Sequence, residues 1–423
     1  MSIEGPYLAA IIARLPDPKV NLAAYGVAFA LGLLFESPVI MMMSASTALV
    51  AHRRALEKLS RFTWALNGGV TVAMALFLVP RVFTPVAEHW IGLSPQVADL
   101  TRRACLLMLP WPAAIGYRRF YQGIMIRAGL TRRVAYGTAI RLVAMTSAAL
   151  LLAFRYGVDG ALVGAASLSA GVTVEAVVSR FMAAGTVHRL RRGEYVGVRA
   201  AVDPSLSYGR IWVFYYPLAL TALIHLGVNP AVTFFLGRSR MALESLAVVP
   251  VVLPFVFLFS NLGFALQEVA ISLLGPAGEN RAALKRFATL LAAGSTCALV
   301  VVAATPLLPL WLDHVAGLQP DLSALATVGV RIMFAMPALS VALSFQRARL
   351  IAARRTQAVS WATAIEVLGI VTVLFTGVRL LDAIGAYAAA TAILAGRAGE
   401  VSFLYVVQRS LAAAPRVDVR SGA

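Results

Sequence analysis

Apolar residues run through this chain in long blocks, not in alternation, and the blocks recur from end to end with short polar breaks between them. Most blocks reach the ~20 residues that an α-helix needs to cross a bilayer. The pattern predicts helices near 3–15, 21–51, 61–83, 98–126, 131–154, 159–187, 211–237, 242–274, 284–311, 322–350, 355–377 and 383–408. No long polar segment interrupts them, so no soluble domain of ordinary size is expected. Composition adds weight to this reading. Hydrophobic residues make up 60% and charged residues 13% of the 423 positions, against about a quarter charged in soluble domains. An all-α integral membrane protein follows.

A net charge of +18 invites a nucleic-acid reading, but the distribution of the charge points elsewhere. The breaks alternate between basic and neutral. AHRRALEKLSR, RRFYQGIMIRAGLTRR, HRLRRGEYVGVR, ENRAALKR, QRARLIAARR and the tail from Arg409 hold 23 of the 37 Lys and Arg residues. FTPVAEHWIGLSPQVAD and WLDHVAGLQPDLS belong to the other, poorly charged set. The positive-inside rule puts the basic set and the C-terminus in the cytoplasm, and the chain in the inner (plasma) membrane. Cys105 and Cys297 fall within helices, so no disulfide framework or metal set is expected. The five histidines are scattered. The sequence shows no HExxH, GxSxG or P-loop pattern, so the expectation is a non-enzyme without cofactor or metal.

The chain also repeats itself. Shifted by 225, Thr138-Ala-Ile falls on Thr363-Ala-Ile, Pro112 on Pro337, Gly160 on Gly385 and Glu175 on Glu400. Shifted by 224, Pro6 falls on Pro230, Arg14 on Arg238, Leu22-Ala23 on Leu246-Ala247 and Phe35 on Phe259. Six helices per repeat keep both repeats in one orientation, which is the parallel type of internal duplication. The expected organisation is an N-terminal lobe over 1–190, a cytoplasmic linker over 191–210, a C-terminal lobe over 211–410 and a cytoplasmic tail over 411–423. At a shift of 224, Met1 falls halfway along the seventh helix, so the first helix reads as truncated. Two lobes with a site between them describe a transporter that works by alternating access, and a monomer suffices because one chain holds both.

Charge inside a span costs at least about 2.5–3.5 kcal/mol, so each such residue needs a cavity or a partner. The repeated phrase carries Arg141 in the first lobe and Glu366 at the matching place in the second. Opposite charges there suggest pairing across a central cavity, with Arg141 contacting an anion and Glu366 and Glu36 coupling or gating. Glu175 and Glu400 suit coupling or anchoring within a lobe, and Arg397 lies at i,i+3 to Glu400, able to pair with it on one helix face. Arg118 and Arg119, with Tyr117 and Tyr121, suggest an anion gate. His225 and Asn229 make a polar stripe one helical turn apart. Pro110 and Pro112, Pro217 and Pro230, Pro250 and Pro254, and Pro337 are expected to interrupt or kink their helices.

The stretches NLAAYGVAFALGLLFESPVIM at 21–41, YYPLALTALI at 215–224 and YGVDGALVGAASLSAGVTVEAVV at 156–178 resemble the multidrug/oligosaccharidyl-lipid/polysaccharide exporter superfamily, and within it the progressive ankylosis protein (ANK) family. The resemblance implies a fold like that of the multidrug and toxic compound extrusion (MATE) transporters. It also implies export of an organic or phosphorylated anion of the pyrophosphate, nucleotide or citrate class. Two other readings stay open: organic-cation efflux coupled to protons or sodium, which uses buried carboxylates, and flipping of a lipid-linked sugar. A slight excess of arginine over acid inside the spans leans toward anions.

Overall fold

The computed structural model describes residues 4–155, 157–196, 206–273, 281–352 and 356–413, and the side chains of a few helical residues, including His225 and Glu268, lie outside the description. The tail from 414 and residues 197–205 of the 191–210 linker also lie outside it.

Every predicted block is helical. The helices are α1 (Glu4–Ile12), α2 (Pro18–Leu49), α3 (Arg53–Phe77), α4 (Pro95–Leu107 and Pro110–Arg127), α5 (Thr131–Arg155) and α6 (Gly160–Met182, continued by Ala184–Arg191). The second half gives α7 (Tyr208–Leu236), α8 (Ala242–Leu273), α9 (Arg281–Ala304), α10 (Pro320–Ile332 and Met336–Ala352), α11 (Thr356–Phe375) and α12 (Gly385–Ala413). Eight of these are long and apolar enough to span a membrane, and ten if the bent α3 and α10 assemblies each count as one. The nine-residue α1 and the arginine-rich α4 fall outside that set.

Several boundaries differ from the sequence reading for local reasons. The basic segment 51–61 is not a loop. His52 Nδ1 accepts from the Ala55 amide at 3.3 Å and caps α3, and Leu56 and Leu59 are buried on one face of its first turns. After α3 the chain turns by 72° into a short helix at Pro80–Ile91. Pro110 and Pro337 do mark breaks, with α10 bent by 41°, and α7 breaks at Gly227, just before Pro230. Pro217, Pro250 and Pro254 do not interrupt their helices.

The prolines of α8 serve packing instead. A Cβ on Gly26 of α2 would lie 2.4 Å from Pro250 Cγ, and one on Gly5 of α1 would lie 2.8 Å from Pro254 Cβ. Two glycine notches on the first half thus receive two proline rings from the second. Leu246, Val251 and Phe255 on α8 join Leu22, Ala23 and Val27 on α2 in one buried core.

Equivalent helices make equivalent contacts in the two halves: α5 packs on α6 and α11 on α12, while α4 and α10 bridge to α6 and α12. Matched polar ties hold them. Asn21 Oδ1 accepts from the Ala161 amide at 2.8 Å, and Ser245 Oγ accepts from the Ala386 amide at 3.0 Å, each satisfying an open donor at a helix start.

One face of the molecule is fastened across the halves by reciprocal bonds. Arg14, just after α1, donates to the His314 carbonyl at 2.5 Å, and Arg238, just after α7, donates to the His89 carbonyl at 2.5 Å. His89 and His314 are themselves 225 residues apart, as are Gly92 and Gly317. Both glycines have positive φ (87° and 71°) and leave room for the arginine they face, Arg238 or Arg14. Lys19 pairs with Asp321 on the same face.

The glycine notches give a direct test. Gly26→Ala forces overpacking at the α2–α8 seam and lowers stability by about 1–3 kcal/mol. Gly68→Ala, whose Cβ would meet nothing within 4 Å, is neutral or stabilising by up to about 1 kcal/mol. Thermal unfolding in detergent separates the two, and equal effects would refute the seam.

Candidate functional site

Buried charge gathers in two clusters, one per half. In the first, Glu175 of α6 is fully buried and receives an ion pair from Arg118 of α4. Gln122, one turn further along α4, donates to Glu175 Oε1 at 3.1 Å. Arg141 of α5 pairs with Glu4 of α1, and its Nε lies 3.3 Å from Glu175 Oε2. Glu36 of α2 is only 5% exposed and makes no ion pair among the described residues. Arg119, Arg118 and Arg141 oppose its charge without bonding to it. Arg119 also lacks an ion pair among the described residues, and reaches only the Met43 sulphur, at 3.6 Å.

In the second cluster, Glu400 of α12 pairs with Arg347 of α10, which also donates to Thr363 Oγ1 at 3.1 Å. Glu366 of α11 lies 2.9 Å from Arg397 Nε on α12. Glycines let the helices approach at the matched charges: a Cβ on Gly171 would sit 3.1 Å from the Arg141 carbonyl, and one on Gly396 2.8 Å from the Glu366 carbonyl.

Three arginines face three carboxylates in the first cluster and two face two in the second. These pairings bear on three expectations. Arg141 and Glu366 do not meet in this structure, where each is paired within its own half; the expected pairing between them concerns one state of the transport cycle only. Arg397 pairs with Glu366, not with Glu400, because Arg347 reaches Glu400 from α10. The excess arginines do not converge on a site. Arg102 and Arg103 pair with Asp99 on the surface, Arg180 stacks over Tyr121 at 5.3 Å, and Arg331 donates to the Ala303 carbonyl at 3.0 Å.

Two cavities border these charges. One of about 280 Å³ is lined by Glu366 and Arg397 together with Asn229, Ser260, Ser340 and Met336. A second, of about 240 Å³, lies between the halves, with Ile40 and Met41 from α2 facing Ala222, Leu226, Thr363 and Arg347. Asn229 also lines a smaller cavity against Tyr25 and Gly26 at the seam. The side chain of His225 lies outside the described residues.

Sequence reasoning missed Glu4, Gln122 and Arg347 as members of the clusters. A signal existed for two of them, since Gln122 and Arg347 fall on one another at a shift of 225. Arg347 was hidden because the basic segment it belongs to, at the end of its helix, reads as a topology signal. Among the described residues no group of His, Cys, Asp and Glu is placed to hold a metal ion.

No protein-family model matches the chain, and no curated protein sequence matches it. Solved structures do. The chain is similar to an inward-facing multidrug resistance MATE transporter of the MOP superfamily (TM-score 0.75, 15% identity, covering 97% of this chain and 96% of that one). It is similar to the lipid II flippase MurJ in an inward closed conformation (0.73, 13%, 96% and 85%). It is also similar to a MOP superfamily transporter from Pyrococcus furiosus described as having a binding pocket of reverse polarity (0.65, 12%, 98% and 95%).

Removing a buried partner should cost far more than removing a surface one. Glu175→Ala strands Arg118 and part of Arg141, lowering stability by about 3–5 kcal/mol. Asp99→Ala, which frees the half-buried Arg102 and the exposed Arg103, costs at most about 1 kcal/mol. Comparable losses in thermal unfolding would contradict the assignment of the cluster. With helices, seam and buried charge laid out in this way, the chain is an all-α, multi-pass membrane protein with the fold of the MATE transporters of the MOP superfamily.

Proposed function

We propose that the chain is a secondary transporter that moves an organic or phosphorylated anion by alternating access between its two halves. The positive-inside rule makes the face fastened by Arg14 and Arg238 extracytoplasmic, so the arrangement corresponds to access from the cytoplasm. Two of the similar structures were themselves solved in inward-facing or inward-closed states.

The observation that carries the anion reading is which cations of the clusters are least neutralised. Most guanidiniums in the clusters face carboxylates. Arg119 has no ion pair among the described residues and bonds only the Met43 sulphur. Arg347 enters the inter-half cavity directly and holds one ion pair, with its Nε unbonded. A phosphate or carboxylate against Arg347 would gain charge-assisted bonds in a low-dielectric cleft, and Arg119 adds a second incompletely neutralised cation, in the first half. The resemblance at residues 21–41, 156–178 and 215–224 to the ankylosis family supports the same substrate class. Arg141, held between two carboxylates, is assigned to positioning and no longer to anion contact.

Glu36 supports a second reading. A buried carboxylate with no ion pair among the described residues is suited to binding a proton or a cation, as coupling ion or as cargo. In the anion reading it is the coupling or gating group, and Glu366, paired with Arg397, supports the second half.

Reconstitution into liposomes tests this. Uptake of labelled pyrophosphate, citrate and a nucleotide is compared with uptake of a lipophilic cation. Anion uptake should fall about tenfold or more in Arg347→Ala and in Arg119→Ala, since a bond to a charged group is worth about 1.5–3 kcal/mol. Arg102→Ala should stay within about twofold of wild type, its partly exposed pair with Asp99 being worth at most about 1 kcal/mol. Cation uptake that follows an imposed proton or sodium gradient, survives both changes and is lost in Glu36→Gln would overturn the anion reading.

A further inference from the structure

A cavity of about 500 Å³ opens between α9, α10 and α12, away from the inter-half cleft. Four cations converge on it from three helices: Arg281 and Lys285 on α9, Arg349 on α10 and Arg409 on α12. No acidic side chain is among the residues lining it. Arg281 and Lys285 are exposed and have no ion pair among the described residues. Arg349 spends one donor on a neutral amide, Gln408 Oε1 at 2.5 Å, and Gln408 in turn donates to the Gln346 carbonyl at 3.0 Å. Arg409 stacks on the Tyr405 ring at 5.2 Å. The buried Oε1 of Gln346 has no partner among the described residues.

Below these polar groups the cavity is apolar, with Ala288, Val341 and Phe345 buried along α9 and α10. The neighbouring face of α9 shows Phe287 and Leu290 to the surroundings, 53% and 63% exposed, as a bilayer-facing surface does. Cationic rim and greasy floor together match a phospholipid, whose phosphate sits at the interface and whose acyl chains run into the membrane.

A topological surplus of basic residues does not explain the cluster. At a shift of 225 the four cations fall on Leu56, Ser60, Ile124 and Ala184 in the first half. The first half carries its own cytoplasmic charge elsewhere, so orientation does not require four cations around one hole. Basic pockets between transmembrane helices are suited to anionic headgroups, each cation near the surface being worth about 1 kcal/mol. We propose that this cavity is a binding site for an anionic phospholipid of the adjacent leaflet, with Arg281, Lys285, Arg349 and Arg409 holding its phosphate. The site concerns one half alone and stands apart from the transport reading.

Native mass spectrometry of the full chain in detergent tests it, with phosphatidylglycerol, cardiolipin, phosphatidylcholine and inorganic phosphate as probes. Wild type should retain the two anionic lipids in preference to phosphatidylcholine. Arg281→Ala with Lys285→Ala should weaken retention of the anionic lipids at least tenfold and leave phosphatidylcholine unchanged. Lys285→Glu alone, at an exposed position, should give a loss in the same direction. Arg54→Ala with Arg61→Ala, exposed cations of the first half, should change nothing. Equal losses in that control would reduce the effect to diffuse surface charge and overturn the site. Inorganic phosphate at millimolar concentration that displaces the lipid completely would reassign the cavity to a free anion and overturn the lipid assignment.

Discussion

Buried charge is the constraint around which this molecule is arranged. An arginine or glutamate in the middle of a bilayer must find its opposite close by, and here the described ion pairs inside the membrane are made within one half. Glu175 draws on α4 and α5, and Arg141 reaches α1, so four helices of the first half are drawn toward one cluster. Glu400 and Glu366 do the same for α10, α11 and α12. Because neutralisation is internal, nothing ionic needs to cross the membrane interior between the halves.

What does cross there is apolar and shaped. Pro250 and Pro254 seat in the notches at Gly26 and Gly5, and α2 and α8 share one hydrophobic core. An apolar seam supplies contact without fixing direction, as a pivot requires. Direction comes from the clasped face, where Arg14 and Arg238 reach across to His314 and His89. The two bonds are related by the internal repeat, so they break together if the halves rotate about the shared axis. Each runs from a guanidinium to a backbone carbonyl at an exposed site, so neither is strong, and a modest bias opens both.

The helices and the duplication were legible because they are written in apolar runs and in a fixed shift. The pairing of charges was not. Arg141 finds Glu4 across 137 positions of sequence, and no local spacing announces that α1 lies beside α5. The matched phrase at 138–141 and 363–366 identified equivalent places but not partners, since a glycine on the neighbouring helix, Gly171 or Gly396, brings in each half's own charges first. Arg347 was obscured by its surroundings: it lies near the end of the helix expected over 322–350, where QRARLIAARR reads as a cytoplasmic topology signal and not as intramembrane charge. The prolines of α8 misled in the opposite direction: helix interruption was the expectation from the missing amide, and notch packing is a property of the neighbour.

The central claim is that the halves are internally neutralised bodies which turn on the seam and are fastened at one face. Electron–electron distance measurement on spin labels tests it most directly. One pair is placed at Trp90 and Val315 beside the two clasps, and a second at Glu57 and Arg286 on the opposite face, all exposed positions, with the exposed Cys297 changed to Ser. Replacing Arg14 and Arg238 together by Ala should add a longer 90–315 distance and a shorter 57–286 distance in the same sample. Distances that stay fixed, or that lengthen together, would contradict rotation about the α2–α8 seam.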